Sequence, residues 1–470
     1  MAERTRGDLA IVLHSHMPYV EGFGTYPFGE EWLFDAFARS HLPVLDVAES
    51  LTMTVTPVLA DQLEAEGVGE RMGTFLRRHR VDAADRDVAD AGAALRPAAK
   101  AEADHYTQAL RRLNRLGGMP LRAFQEAHRK GRIALIPSAA THAVLPKLAT
   151  IAGRRLQVDA GLRSHQRRFG ETAGFWLPEC AYVPGLESVL EERGIAYTCL
   201  DQSSHEAGTA ALRPIKLPGG STAFTIDWGT VRLVWSDQGY PSDPAYLEYH
   251  RLSPNGMRLW SISGTPYNPA AAAKRAAEHA ASFLAAVRDR LERHRAETGR
   301  RGLCVFAIDT ELLGHWWAEG PLWLREVIKG AELDGVRLLT LPQALRWHEP
   351  EDRPAREASW GEGKSLETWD SPSVSDLVWA TRRSELRLLR ALEGRAVNGP
   401  GALRAARELL ALQSSDWAFM DHRGQAGDYP FSRATAHAEA LLNAIHSAEA
   451  VDPQLRNLAP DLSLAPLLEP

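Results

Sequence analysis

The strongest constraint on the fold of this chain is a series of short, continuous apolar runs, each followed closely by a polar residue. Leu9–Leu13 stops at His14, Met53–Val58 precedes Asp61, Ile133–Ile136 precedes Ser138 and Gly174–Leu177 precedes Glu179. Ile195–Leu200 stops at Asp201, Arg232–Trp235 precedes Asp237, Leu303–Ile308 stops at Asp309, and Val336–Leu341 is a further run. Continuous apolar strands separated by helical patterns belong to a parallel sheet covered on both faces, and seven or eight of them suggest a barrel. In such a fold, polar residues at strand C-ends are the active-site candidates.

The segments between the runs are helical. Residues from Gln62 to His128 are rich in Ala, Arg and Glu with 3.6-residue periodicity, and Pro269–Glu297 is a long helix with Pro in its first turn. Beyond about Ala355 the strand signal ends, and Leu386–Glu393, Ala402–Leu412 and Ala434–Ala448 read as amphipathic helices after a Gly/Ser/Pro-containing joint, Ser359–Ser373. The reading is an α/β fold in three parts. A catalytic barrel spans 1–61 and 129–354, an inserted helical subdomain 62–128, and a C-terminal helical domain 355–470. The last residues form a tail packed on the surface.

With 470 residues, 44% hydrophobic and 24% charged, the chain buries a large core, and its formal net charge of −6 without like-charge blocks points away from nucleic acid and anionic membranes. Cys180, Cys199 and Cys304 make neither a disulfide framework nor a thiolate metal site. The five-residue run Leu9–Leu13 is too short for a signal peptide, and no segment approaches the ~20 apolar residues of a membrane span. A cytoplasmic protein is expected. The unusual count is 13 tryptophans, several beside His, Asp, Glu or Gly. Aromatic faces beside carboxylates suit a ligand with an apolar face and a polar rim, as a pyranose has.

Three constellations carry chemistry. In Leu13-His14-Ser15-His16-Met17-Pro18-Tyr19, the two imidazoles share a strand face, as metal ligands, as partners of sugar hydroxyls, or as structural groups. In Trp176-Leu177-Pro178-Glu179-Cys180-Ala181-Tyr182, Pro178 stops the strand and leaves Glu179 at the mouth; the plainer reading is a helix N-terminal Glu. In Ile308-Asp309-Thr310-Glu311-Leu312-Leu313-Gly314-His315-Trp316-Trp317, Asp309 is a second carboxylate at a strand end, with Glu311 its rival two residues on. Two such groups facing each other ~5–5.5 Å apart would serve a retaining glycosidase as nucleophile and acid/base. Weaker support comes from Ala140-Thr141-His142, Asp237-Gln238-Gly239-Tyr240-Pro241, Trp260, Ser359-Trp360-Gly361-Glu362-Gly363 and Ser415-Asp416-Trp417.

Together with Pro27-Phe28-Gly29-Glu30-Glu31-Trp32, these motifs resemble glycoside hydrolase family 57, and among its members the 1,4-α-glucan branching enzymes. The resemblance implies a distorted (β/α)7 barrel and a retaining double displacement without metal or organic cofactor. By it, Glu179 is the nucleophile and Asp309 the general acid/base. His14, His16, His142 and His315 contact sugar hydroxyls, Trp32, Trp260, Trp360 and Trp417 are stacking surfaces, Asp416 is a polar contact, and Tyr240 sits on a lid that keeps water out. The partner implied is an α-1,4-glucan, and the chain acts as a monomer or homodimer. Departures from the family pattern fall at Tyr26, Ala143-Val144 and Ser242, in subsites and lid. Trp32, Trp176, Trp260, Trp316, Trp317, Trp360 and Trp417 are expected in the cleft. Trp228, Trp323, Trp347, Trp369 and Trp379 are expected in packing, with Trp235 undecided.

Two alternatives follow from the same residues. An α-amylase or 4-α-glucanotransferase of the same family would use the same carboxylates. A metal-dependent hydrolase or deacetylase would use His14, His16 and His142 as ligands, but offers no task for Trp176-Leu177-Pro178-Glu179.

Overall fold

The computed structural model describes residues 6–21, 29–206, 208–394, 399–446 and 457–469; Tyr26 lies outside them. Its centre is strand β1, Gly7–Ser15, buried along its whole length. β1 pairs in parallel with β2 (Leu51–Val55) and with the later strand β7 (Leu303–Asp309), and β2 pairs in parallel with β3 (Ile133–Ile136). A short strand β8, Val336–Leu338, pairs with residues 7–9 of β1. A second sheet joins β4 (Tyr197–Leu200) in parallel to β6 (Thr222–Thr225), which pairs antiparallel with β5, Ile215–Lys216. The fold is α/β with a mostly parallel sheet and many helices.

Isolated pairings span the space between the two sheets. Ser138 bridges to Trp176, Gly174 bridges to Tyr197, and the backbone N–H of Asp227 donates to Val305 O at 2.8 Å. The run Gly174–Leu177, expected as a strand, therefore makes single bridges only. Arg232–Trp235 is not a strand either. Its chain leaves a short helix, Trp228–Val231, capped by the Asp227 carboxylate accepting from the Thr230 N–H, and helical turns continue to Trp235. β5 and β6 were hidden because Thr-rich Thr222–Thr225 is β-branched without being continuously apolar.

Between β2 and β3 run helices Pro57–Leu63, Val68–Phe75, Asp82–Asp90, Arg96–Arg115 and Arg122–Arg129. In Arg96–Arg115 the buried residues Ala99, Ala103, Tyr106, Ala109 and Leu113 recur at the spacing of one helix face. Helix Pro269–Thr298 starts on the Asn268 side chain, which accepts from two backbone N–H groups, and ends at left-handed Gly299. The C-terminal helices are Ser375–Glu393, Gly399–Leu412, Ser415–His422 and Tyr429–His446, and the short helix Ala465–Leu468 packs on helix Ile151–Phe169. No described helix is long and apolar enough to cross a membrane.

At the N-terminal end of the sheet, fully buried Asp8 accepts from Arg301, Arg337 and His348, at 2.5, 2.8 and 2.8 Å. Burial alone would raise its pKa, but these three partners hold it below the usual carboxylate range. The carboxylate ties β1, β8, the loop before β7 and the residue after helix Leu341–Trp347 together. Asp8→Ala leaves Arg301, Arg337 and His348 without their shared partner, and is expected to cost about 3 kcal/mol in urea unfolding.

Candidate active site

Parallel register brings the strand C-ends level. His14 pairs with Thr54 of β2 on one side and with Asp309 of β7 on the other. His16 follows at the end of β1, and the loop after β3 delivers His142 in a left-handed conformation, φ 60°. Glu179 sits in the short helical turn Pro178–Cys180 at φ 57°, its carbonyl accepting from the Trp360 N–H at 2.7 Å. Non-glycine residues in this region store strain that surrounding contacts must hold, and such strain gathers at functional sites.

These groups meet at one end of a cleft of about 950 Å³. His14 Nε2 lies 2.9 Å from His142 Nε2, and His14 Nδ1 lies 2.5 Å from Thr54 Oγ1. His142 Nδ1 is 2.9 Å from Ser415 Oγ, whose hydroxyl donates to Glu179 Oε1 at 3.2 Å. His16 bonds the Asp416 carboxylate at 3.0 Å and Thr56 Oγ1 at 3.0 Å. Trp176 lies beneath, stacked on His14 with ring centroids 4.9 Å apart. Every ring nitrogen of His14, His16 and His142 thus has a protein partner. Among the described residues, no group of three or more His, Cys, Asp or Glu is arranged to hold a metal ion.

The carboxylates are electrostatically set apart from ordinary ones. Burial, then the Asp309 and Asp416 charges, push Glu179 up to about 8, against His16 and the Ser415 hydroxyl. Burial and Glu311 push Asp309 up to about 7, against His16. Burial opposes a charge on His16, but Asp416, Glu311 and Glu179 outweigh it and raise its pKa. Burial, reinforced by positive His16, drives His14 and His142 well below the usual imidazole range. The site therefore holds two neutral imidazoles, one charged one, and a carboxylate pair that resists double ionisation.

Glu311, the rival to Asp309, lines the same cleft but is engaged by other protein groups. The chain leaves β7 in a tight turn, Thr310–Leu312, and Glu311 accepts from the His16 N–H at 3.2 Å while bonding His41 Nε2 at 2.6 Å. His41 ends a π-helical segment, Phe37–His41, whose Ser40 hydroxyl donates to Thr310 O at 2.7 Å. Gly314 is required here. At φ 105°, any Cβ would sit 1.9 Å from Arg39 O.

Trp32, Trp360 and His315 line the cleft as expected, as do His14, His16, His142, Glu179, Asp309 and Asp416. Five expected residues do not. The Trp417 indole is turned inward between helices, its N–H donating to Ala411 O at 2.8 Å. Trp260 is held in its own hairpin under the Arg251 guanidinium, 4.2 Å from the ring centre. Tyr240 stacks on His279 at 4.4 Å and donates to Ser282 Oγ at 3.1 Å, against helix Pro269–Thr298 and away from the cleft. Trp176 and Trp317 are buried behind the walls. Conversely, Trp228, expected in packing, lines the cleft with Lys364 Nζ 3.4 Å above its ring, and Trp235 and Trp316 expose half their surface there. Of the departures from the family pattern, Ala143 and Val144 are buried and Ser242 Oγ donates to Gly239 O at 2.8 Å.

The cleft lining also includes a charged cluster around Asp35, Arg39 and Arg80 that the sequence pattern did not reveal. Asp35 accepts from Tyr106 Oη at 2.7 Å and Arg80 Nε at 3.0 Å, Arg39 pairs with Glu102, and Arg258 Nη1 donates to His315 O at 2.8 Å. Positive neighbours hold the Asp35 carboxyl well below its usual range despite burial. These partners are 57 to 71 residues apart except Asp35–Arg80. No local spacing could announce them.

Two partly buried acids, one at the end of β7 and one in the turn Pro178–Cys180, stand beside aromatic walls in a cleft, an arrangement suited to glycosidase-type acid–base chemistry. The chain belongs to glycosyl hydrolase family 57, whose model matches residues 10–355. A second model, described as the C-terminal region of 1,4-alpha-glucan branching enzyme, matches residues 388–462. The 1,4-alpha-glucan branching enzyme TK1436 of Thermococcus kodakarensis is 31% identical over 92% of this chain and 72% of its own length. The probable 1,4-alpha-glucan branching enzyme Rv3031 of Mycobacterium tuberculosis is 32% identical over 92% of this chain and 91% of its own. Among solved structures, the GH57-type branching enzyme of Pyrococcus horikoshii superposes with a TM-score of 0.91 at 30% identity, covering 98% of this chain and 97% of that one.

Both raised carboxyls bind protons more tightly folded than unfolded, so stability falls as pH rises from about 4 towards about 8. Glu179→Gln removes one of the opposing charges. Its melting temperature is expected to match the parent near pH ~4, where both acids are protonated, and to exceed it increasingly towards pH ~8 in scanning calorimetry.

Proposed function

We propose that this protein is a 1,4-α-glucan branching enzyme. The observation that carries the reading is the joint match to the family model and to the branching-enzyme C-terminal model. The cleft suits the substrate: Trp32, Trp228, Trp235, Trp316 and Trp360 offer faces to the apolar side of glucose rings, and the histidines and Asp416 offer partners to hydroxyls.

In the proposed reaction, a Glu179 oxygen attacks C1 of a glucosyl unit while the C1–O4 bond breaks. Asp309 gives its proton to the departing O4, leaving a glycosyl ester on Glu179. Asp309, now a carboxylate, takes the proton of an acceptor 6-hydroxyl, whose oxygen attacks C1 and displaces Glu179 with net retention. The product is an α-1,6 branch. This needs charge on Glu179 and the proton on Asp309 once substrate is bound. The Ser415 hydroxyl and positive His16 favour the first, against the burial and the Asp309 and Asp416 charges that set Glu179 above Asp309, and the negative neighbour Glu311 favours the second.

The ring of pairings β1-β2-β3, residues 174–177, β4, β6 and β7 supports reading the core as a distorted seven-stranded barrel, 1–61 and 129–354. On that reading 62–128 is an inserted helical part and 355–470 a C-terminal part that completes the cleft through Trp360, Ser415 and Asp416. Water exclusion, expected of Tyr240, falls instead to Trp235 and Trp316 at the open side.

Incubation with linear amylose followed by a debranching enzyme tests the activity. New short chains released only on debranching are expected; reducing sugar without them would make the protein an α-amylase. Glu179→Gln should lose at least ~10⁴-fold in turnover. Trp235→Ala and Trp316→Ala should each lower kcat/KM about three- to tenfold and raise the ratio of hydrolysis to branching. Tyr240→Ala should leave that ratio unchanged.

A further inference from the structure

We infer that Thr54, His14, His142 and Ser415 form a one-way hydrogen-bond chain that ends on Glu179 and holds it as a charged acceptor. Ser415 is then a positioning residue for the nucleophile. The inference rests on the reading of Glu179 given above and adds to it a group outside the barrel.

The direction follows from counting donors and acceptors. Thr54 Oγ1 already accepts from the Ser15 N–H at 3.3 Å, so its own hydrogen is left to donate. Among the described residues its acceptor is His14 Nδ1 at 2.5 Å. His14 must then carry its proton on Nε2 and donate to His142 Nε2 at 2.9 Å. That places the proton of His142 on Nδ1, donating to Ser415 Oγ at 2.9 Å. The Ser415 hydroxyl hydrogen is free for Glu179 Oε1 at 3.2 Å. Every polar atom in the series is satisfied, and each imidazole carries one proton.

Two independent features enforce the neutral state of both rings. His14 and His142 are each 3% exposed, and His16, paired with Asp416, stacks on His142 at 4.1 Å, where its charge opposes a second one. The backbone fixes Ser415 separately from its hydroxyl, through Ser415 N–H donating to His142 O and Trp369 Nε1–H donating to Ser415 O, both at 3.2 Å.

The reverse order would require a protonated Glu179 donating to Ser415, and so back to Thr54. Thr54 Oγ1 would then receive two donors and hold a hydrogen without an acceptor. A buried unsatisfied donor costs about 1–3 kcal/mol, so the forward order is favoured; it delivers a donor to Glu179, and such a donor stabilises the carboxylate over the neutral acid. The chain thus opposes what surrounds it. Asp309 at the end of β7 and Asp416 beside Ser415 face Glu179 with negative charge, against positive His16, while Glu311 in the turn after β7 and Lys364 line the same cleft.

The test is kcat/KM for branching as a function of pH, whose acid limb reports ionisation of the nucleophile in the free enzyme. Ser415→Ala should move that limb up by about one pH unit, with roughly a tenfold loss near neutrality and an unmoved base limb. Ser415→Thr should restore both. Thr54→Val should shift the same limb in the same direction by less, and Thr54→Ser should not. A Ser415→Ala enzyme whose rate falls with its limbs in place would overturn the chain, as would a Thr54→Val profile identical to the parent. Glu179→Ala with azide separates the two readings, because a nucleophile-deleted retaining enzyme should release a β-glucosyl azide. If that product forms while the limbs stay fixed, the chain alone is wrong; if it does not form, the nucleophile assignment is.

Discussion

The parallel register of β1 between β2 and β7 is the constraint on which the site depends. It sets His14 level with both Thr54 and Asp309, so three strands end in one polar layer above an otherwise apolar sheet. A one-residue slip would turn His14 and His16 into the helical shell and bring Leu13 to the cleft. Asp8 at the other end of β1 opposes that slip by tying Arg301, Arg337 and His348 to one fixed point.

The centre of the site is held at a cost to the fold. Glu179 and His142 adopt left-handed backbone without being glycine, two carboxyls are raised by burial and like charge, and neutral imidazoles stack on a charged one. Each is tolerable because another contact meets it: the Trp360 N–H on the Glu179 carbonyl, the Ser415 N–H on the His142 carbonyl, Asp416 on His16. These contacts come from the last quarter of the chain and the loop before it.

What could be read from the sequence was what local order determines. An apolar run closed by a carboxylate or histidine identified His14, His16 and Asp309, and β3 was bounded correctly at Ile133–Ile136, because a buried parallel strand leaves no other pattern. Glu179 lies in the cleft lining although its run is not a strand, and Pro178 and the aromatic flanks mark the turn. The tryptophans were sorted poorly. Trp228 and Trp417 both sit beside polar residues, and only the orientation of a helix decides that one faces the cleft and the other Ala411. The π-helical Phe37–His41, the Arg39 cluster and the role of Ser415 depend on partners at separations of 63 to 273 residues. Single-chain periodicity carries no trace of those.

The late position of Ser415 and Asp416 has a consequence for synthesis. A chain emerging from the ribosome can pair β1 with β2 and β7, and β2 with β3, and so bring together both acids and all three histidines, while still lacking the hydroxyl on Glu179 and the carboxylate on His16. Until the helix Ser415–His422 has folded back across the strand ends, the acids stand together without their counterweights. The order of residues along the chain thus withholds a finished centre from any product truncated before Ser415.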